Sequence, residues 1–263
     1  MSKIRIKFTR GEEVKYVSHL DILKVFERAA RRAKLPLAYS KGFNPHPQII
    51  FGLPLSVGVT SEAEFADFEI DGAVSPEEFN DSLNKELPKG IICLDAANLY
   101  TKKNIMVSIS AASYKVLFLC SENLKSVQDA VGALKKKKMV IVKKFTKKGE
   151  RDFDIRPLIY KLDVFQFSYE ADGCTNPNLV KYVENNIDDF IHNTDFHRED
   201  LYCLDMLVGA GNVSNLKPSL LMTALSETEG LYLRQVKIHR TGLFLGDTLR
   251  LLDPMSESVL ENI

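Results

Sequence analysis

The chain has 263 residues, 45% of them hydrophobic and 27% charged, with 35 basic residues balanced by 35 acidic ones. That composition excludes a disordered chain, and no run of about eighteen apolar residues exists to span a bilayer as a helix. The length predicts two domains, and the zero net charge hides a segregation. Residues 1–52 hold eleven Lys and Arg against four acids, a bias that points to a polyanion-binding surface.

The first element is MSKIRIKFTR, where Ile4, Ile6 and Phe8 alternate with Lys3, Arg5 and Lys7 in the period of a half-buried strand. It lacks the apolar core of a leader peptide, so a cytoplasmic location is expected. Ser18 stands three residues before Asp21, a start that satisfies orphan helix N–H groups. From His19 the apolar positions Leu20, Leu23, Phe26, Ala30 and Ala33 fall at helical spacing, and Lys24, Arg28, Arg31 and Arg32 lie on the opposite face. Pro36 ends this helix, and Leu37-Ala38-Tyr39 reads as a short strand. The turn Ser40-Lys41-Gly42-Phe43-Asn44-Pro45-His46-Pro47 follows, stiffened by two prolines. Strands at 48–52 and 63–70, a helix opened by Ser75-Pro76 and a strand at 90–98 complete a β-α-β-β-α-β order, the signature of a split βαβ unit.

A comparable order recurs. A strand at Tyr114–Cys120, a helix to Leu134, strands near 139–144, 163–169 and 201–208, a helix opened by Pro218 and a strand at 231–239 are expected. The predicted fold class is therefore α+β, with two tandem ferredoxin-like domains, each an antiparallel sheet with helices on one face. They cover residues 1–105 and 106–263, the second with an acidic insertion at 172–200. The four cysteines, Cys93, Cys120, Cys174 and Cys203, form no CxxC pair. They predict single buried thiols, with no metal site and no cofactor.

Several side chains are candidates for chemistry. Lys24, Arg28, Arg31 and Arg32 make a stripe that can track phosphates. In the turn, Phe43 can stack on a base, Lys41 can pair with a phosphate and Asn44 can read a base edge, with Ser40 beside them. A second basic cluster runs from Lys135 to Arg151 and includes Lys143, Lys144 and Lys147. His19 and His46, with Tyr16 in support, fit an acid–base pair acting on RNA, since imidazole titrates near neutrality. One histidine near a carboxylate is not by itself a site, and His19 as a hydrogen-bonded structural residue is the stronger of the two readings. Asp154 and Arg156 suggest a fixed ion pair. Lys217, before the helix at Pro218, is a weak phosphate candidate because the Gly-Lys-Ser/Thr ending of a P-loop is absent.

The run YVSHLDILKVFERAARRAKLPLAYSKGFNPHPQIIFGLPLSVGVTSEAE resembles the N-terminal signature of the radical-SAM-linked proteins, a bacterial family without an established activity. FDIRPLIYKL and GNVSNLKPSLLMTAL resemble that family's later elements. The resemblance implies a radical SAM protein as partner and an RNA-linked role. The chain has no CxxxCxxC and so does not bind the radical SAM cluster itself. In its order of a SHLD helix and a Gly-Phe turn it is also similar, more loosely, to ferredoxin-like CRISPR repeat-processing endoribonucleases. The expectation from sequence is an RNA-binding accessory protein without membrane association. The alternatives are a metal-independent RNA endonuclease or RNA-modifying enzyme using His19, and an adaptor that docks a partner through the acidic 172–200 segment.

Overall fold

A computed structural model describes residues 2–146, 149–168, 176–211, 214–247 and 250–261, with backbone alone at 144–146. The fold is α+β with mostly antiparallel strands and seven α-helices among the described residues. Two compact units divide the chain. The first comprises 1–112, 210–213 and 240–263, and the second 113–209 and 214–239.

In the first unit, β1 (Ser2–Arg10) lies between β3 (Thr60–Ile70) and β4 (Cys93–Asn98), antiparallel to both, and β2 (Ile49–Phe51) pairs with the far side of β3. The order is β4-β1-β3-β2. Ile4, Ile6 and Phe8 face α1 (His19–Arg32) and α2 (Pro76–Asn84), and the aromatic rings interlock, Phe8 on Phe26 at 4.8 Å and Phe68 on Phe79 at 5.1 Å. Ser18 accepts from the Asp21 N–H at the start of α1, as the sequence predicts. The buried stripe of α1 is Ile22, Phe26, Ala29 and Ala30, the i, i+4, i+7, i+8 spacing of one helix face. Leu20, expected in the core, lies about 200° round the helix from Ile22 and is 70% exposed. The stretch 37–39 forms isolated bridges, Leu37 to Ile70 and Tyr39 to Pro47, rather than a strand.

The opposite face of β1 and β3 is not simply solvated, as alternation of Lys3, Arg5 and Lys7 implies, since Lys3 and Lys7 are half-buried and Arg5 is buried. Arg5 is 1% exposed and makes a two-pronged pair with Asp67, Nε to Oδ1 at 2.7 Å and Nη2 to Oδ2 at 3.0 Å. Around Arg5 this face is covered by α3 (Ile105–Ser108) and by the segment at Pro254, because Asp67 also accepts the Ile105 N–H and Arg5 Nη1 donates to the Pro254 carbonyl.

In the second unit, β5 (Ile109–Leu119), α4 (Leu124–Lys136), the hairpin β6 (Ile141–Thr146) and β7 (Gly149–Asp154), and β8 (Ile159–Gln166) lead to α5 (Pro177–Ile191) and β9 (Leu201–Gly209). Helix α6 (Pro218–Glu229) then precedes the long strand β10 (Arg234–Gly246), with β11 (Leu251–Leu252) and α7 (Glu257–Leu260) closing the chain in the first unit. The strand order here is β10-β5-β9-β8. Both β5 and β10 contribute residues to each unit. The acidic segment is mostly helical. Leu179, Tyr182, Val183 and Ile187 of α5 are buried in the core with Leu117, Leu201 and Cys203, so its acids are the solvated face of a core helix. Residues 172–175 lie outside the described residues. Cys93 and Cys120 are free and buried, but Cys203 is disulfide-bonded, which corrects the expectation of four single thiols.

Candidate nucleic-acid interface

Helix α1 packs on the first unit through one face and leaves its other face to solvent, where Lys24, Arg28, Arg31 and Arg32 are all exposed. Two of these cations are engaged locally. Lys24 pairs with Asp21 at 3.3 Å, and Arg32 pairs with Glu86 at 2.7 Å while donating to its backbone carbonyl. Arg28 and Arg31 make no hydrogen bond or ion pair among the described residues, which leaves their guanidinium groups available to an external anion.

The turn at 40–47 is a closed loop. The Tyr39–Pro47 bridge pins its base, the Ser40 N–H donates to the His46 carbonyl at 2.9 Å, and the His46 N–H donates to Ser40 Oγ at 3.2 Å. His46 Nδ1 lies 3.0 Å from the same hydroxyl and 3.4 Å from the Asn44 carbonyl. Ser40 and His46 thus brace the loop with the atoms that acid–base chemistry would use. What they brace is a tip with Lys41, Phe43 and Asn44 exposed. Phe43 is fully exposed, at 106% of its reference surface, so it is no core residue. Lys41 has no partner among the described residues.

His19, in the first turn of α1, is half-buried edge-on to Phe51, with ring centroids 5.7 Å apart. Its ring nitrogens make no hydrogen bond among the described residues. Its pKa is lowered from the usual 6.5, chiefly by burial and then by the charge of Arg10, against an opposing pull from Glu64. The imidazole is therefore neutral at neutral pH. Around it stands a buried charge cluster. Arg240 Nη1 donates to both oxygens of Glu64, at 2.8 and 3.1 Å, and to the Leu53 carbonyl. Arg10 Nη2 holds the carbonyls of Val14 and Val17, while its Nε is buried without an acceptor. Tyr16 is 73% exposed, and the Lys15 ammonium sits 5.1 Å from its ring centroid. His19 is not hydrogen-bonded to Tyr16 or to His46.

In the second unit the basic cluster is partly neutralised. Lys135 donates to the Leu162 carbonyl and to Asp163, Lys137 pairs with Glu229 at 3.0 Å, and Lys143 pairs with Asp152 at 2.7 Å. The hydrogen bond to Asp152 raises the Lys143 pKa. The side chain of Lys144 and the whole of Lys147 lie outside the described residues. The expected Asp154–Arg156 ion pair does not form. Asp154 Oδ1 accepts the N–H groups of Val140 and Arg156, and the Arg156 guanidinium donates to the carbonyls of Lys135, Lys137 and Ile159. Arg156 therefore caps the C-terminus of α4, where unsatisfied carbonyls and the helix dipole attract a cation. Lys217 is exposed just ahead of Pro218 and makes no cap hydrogen bond.

Sequence reasoning missed the buried pairs Arg5–Asp67 and Arg240–Glu64. A signal existed in AEFADFEI, where acids alternate with phenylalanines along a strand that is otherwise apolar. Among the described residues no cluster of His, Cys, Asp and Glu could hold a metal, and no helix is long and apolar enough to cross a membrane.

No curated protein matches the chain. Among solved structures it overlaps a chain of "Crystal Structure of a Cbf5-Nop10-Gar1 Complex" with a TM-score of 0.46 at 9% identity, covering 94% of this chain and 50% of that one. It also overlaps "Crystal Structure of an Unknown Protein from Galdieria sulphuraria" with a TM-score of 0.23 at 11% identity, covering 89% and 98%. The chain thus spans half the length of the first of these, and at such overlaps neither supports a functional argument. A family model described as "Uncharacterized protein conserved in bacteria (DUF2344)" matches residues 3–218, most of the chain, and the protein belongs to that family.

Proposed function

We propose that this protein is an RNA-binding accessory factor that grips RNA with the exposed face of α1 and the 40–47 loop. The observation that carries this is Phe43. A phenylalanine with its whole ring in water, held on a braced loop beside a lysine that has no partner among the described residues, contributes nothing to the core. It has the form of a stacking platform for an unpaired base. Arg28 and Arg31, which make no ion pair among the described residues, add cations for the phosphates. The strand orders β4-β1-β3-β2 and β10-β5-β9-β8 support two ferredoxin-like halves, with β6, β7 and α5 as additions to the second. The resemblance to radical-SAM-linked proteins supports a cytoplasmic radical SAM partner, which would modify or process the ribosomal or transfer RNA held here.

Anisotropy titration of labelled single-stranded RNA and of transfer RNA tests the grip. Affinity should fall steeply with salt, since each phosphate contact releases counterions. Phe43→Ala should weaken binding about tenfold, given that stacking on a base contributes about 1–3 kcal/mol. Absence of binding at low salt, or binding indifferent to both salt and Phe43, would sink the proposal.

One observation favours a second role, RNA cleavage or modification by His19. Its neutral imidazole has ring nitrogens with no hydrogen bond among the described residues, as a general base requires. Incubation with RNA in the presence of chelator checks it: cleavage that disappears in His19→Ala supports catalysis, and intact RNA refutes it.

A further inference from the structure

A cavity of about 460 Å³ opens in the first unit, on the side of the sheet away from α1. Arg5, Thr101, Lys103, Val107, Leu245 and Val259 are among the residues that line it. Its volume falls in the range of small-molecule sites, which combine apolar walls with a few convergent polar groups. Here the walls are Val107 from α3, Leu245 from β10, Leu252 from β11 and Val259 from α7.

The polar groups share one character. The Arg5 guanidinium has five N–H donors, and its three hydrogen bonds go to Asp67 and Pro254. Two N–H groups of a residue only 1% exposed therefore lack an acceptor among the described residues. Leaving such donors unmet costs free energy that a ligand oxygen would recover. Lys103 is exposed at the cavity and pairs with no carboxylate among the described residues. Thr101 Oγ1 already accepts the Lys103 N–H and retains its own proton to donate. Ser108 Oγ gives its proton to the Asn104 carbonyl and, among the described lining side chains, is the one that only accepts. Among the described residues no Asp or Glu lines the cavity. Since Asp67 balances Arg5, the described lining keeps one net positive charge, that of Lys103.

The cavity is also held open by the same buried pair. Asp67 fixes the first N–H of α3, and Arg5 fixes the Pro254 carbonyl ahead of α7, so two of its walls are anchored to one guanidinium–carboxylate unit. We infer that this cavity binds a small amphipathic anion. Its apolar body would lie against Val107, Leu245, Leu252 and Val259, and its carboxylate or phosphate head would meet Lys103, Thr101 and Arg5. This site is separate from the RNA-gripping face and does not rest on that proposal.

Ligand-observed NMR on the full chain tests it with octanoate, indole-3-acetate and octyl phosphate, each compared with its uncharged amide or alcohol. At least one anion should bind, about tenfold or more tighter than its neutral partner, which corresponds to about 1.4 kcal/mol. The tighter of the carboxylate and phosphate series identifies the head group. Lys103→Glu should weaken binding about tenfold, as expected for reversing a charge beside the anion. Val107→Trp should abolish it by filling the cavity. Both positions are exposed, so the fold is retained, and unchanged thermal melting verifies that. Equal binding of acids and neutral analogues, no binding of any probe, or indifference to both substitutions would overturn the inference.

Discussion

At the scale of single residues, the basic surplus of residues 1–52 proves to be of three kinds. Arg28, Arg31 and Lys41 are surface charges with no hydrogen bond or ion pair among the described residues, while Lys24 and Arg32 are surface charges paired with Asp21 and Glu86. Arg5 and Arg10 are buried, Arg5 neutralised by Asp67 and Arg10 close to Glu64 and Arg240. A count of charges along the chain does not separate these, because burial depends on what packs on β1 from 240–263. The buried pairs make a stability prediction. Arg240→Ala strands Glu64 in the interior and should lower unfolding free energy by about 3–5 kcal/mol, whereas Glu64→Gln with Arg240→Met should recover much of it. Chemical denaturation of the three proteins measures both. His19 makes a pH prediction. Its folded pKa lies below the unfolded 6.5, so the unfolded chain binds more protons in the window just below that value. Stability there should rise with pH, be complete above about 6.5 and decline as the pH falls toward the folded pKa. An NMR titration should place the His19 midpoint below 6.5, and His19→Gln should flatten the stability profile in that window; a midpoint at or above 6.5 would contradict the buried setting.

Single elements show where local rules sufficed. The Ser18 cap and the Pro76 and Pro218 helix starts are legible because caps and prolines act within one turn, whereas α1 ends at Arg32, with Lys34 left-handed at φ 53°, before the expected stop at Pro36. The face of α1 was less legible. Leu20 matched the helical spacing but is exposed, since the true stripe is set by Phe8, Phe51 and Phe68 on the facing strands. Arg156 likewise reads as half of an ion pair with Asp154, yet it closes the end of α4 from twenty residues downstream. Arg156→Lys keeps the charge but cannot reach three carbonyls with one planar group. It should cost about 1–3 kcal/mol of stability, seen as a lower denaturation midpoint, while leaving RNA affinity unchanged. A loss of affinity without a loss of stability would instead assign Arg156 to the RNA surface. Phe43 is the opposite case, because the Ser40–His46 brace is local and the loop chemistry was readable from SKGFNPHP.

For the molecule as a whole, chain order and compact units do not coincide. The first unit draws on 210–213 and 240–263 as well as 1–112. A fragment of residues 1–105 lacks Arg240 for Glu64, the Pro254 carbonyl for Arg5 and the walls that cover Asp67. It should be unfolded or aggregated by circular dichroism and sizing, and a cooperative melt of that fragment would show that the late residues are dispensable. The sequence by itself determined the class of the fold, the order of its main elements, the capped basic helix and the braced aromatic loop. Each of these is encoded in periodicity, capping and turn chemistry within a few residues. Only the tertiary structure decided which arginines are buried, that Leu20 lies outside the buried stripe of α1, that the acidic segment is a core helix and that a donor-lined cavity lies beside Arg5. Those outcomes depend on residues that are far apart in the chain, with Arg5 and Pro254 meeting across nearly its full length, and no local pattern carries that information.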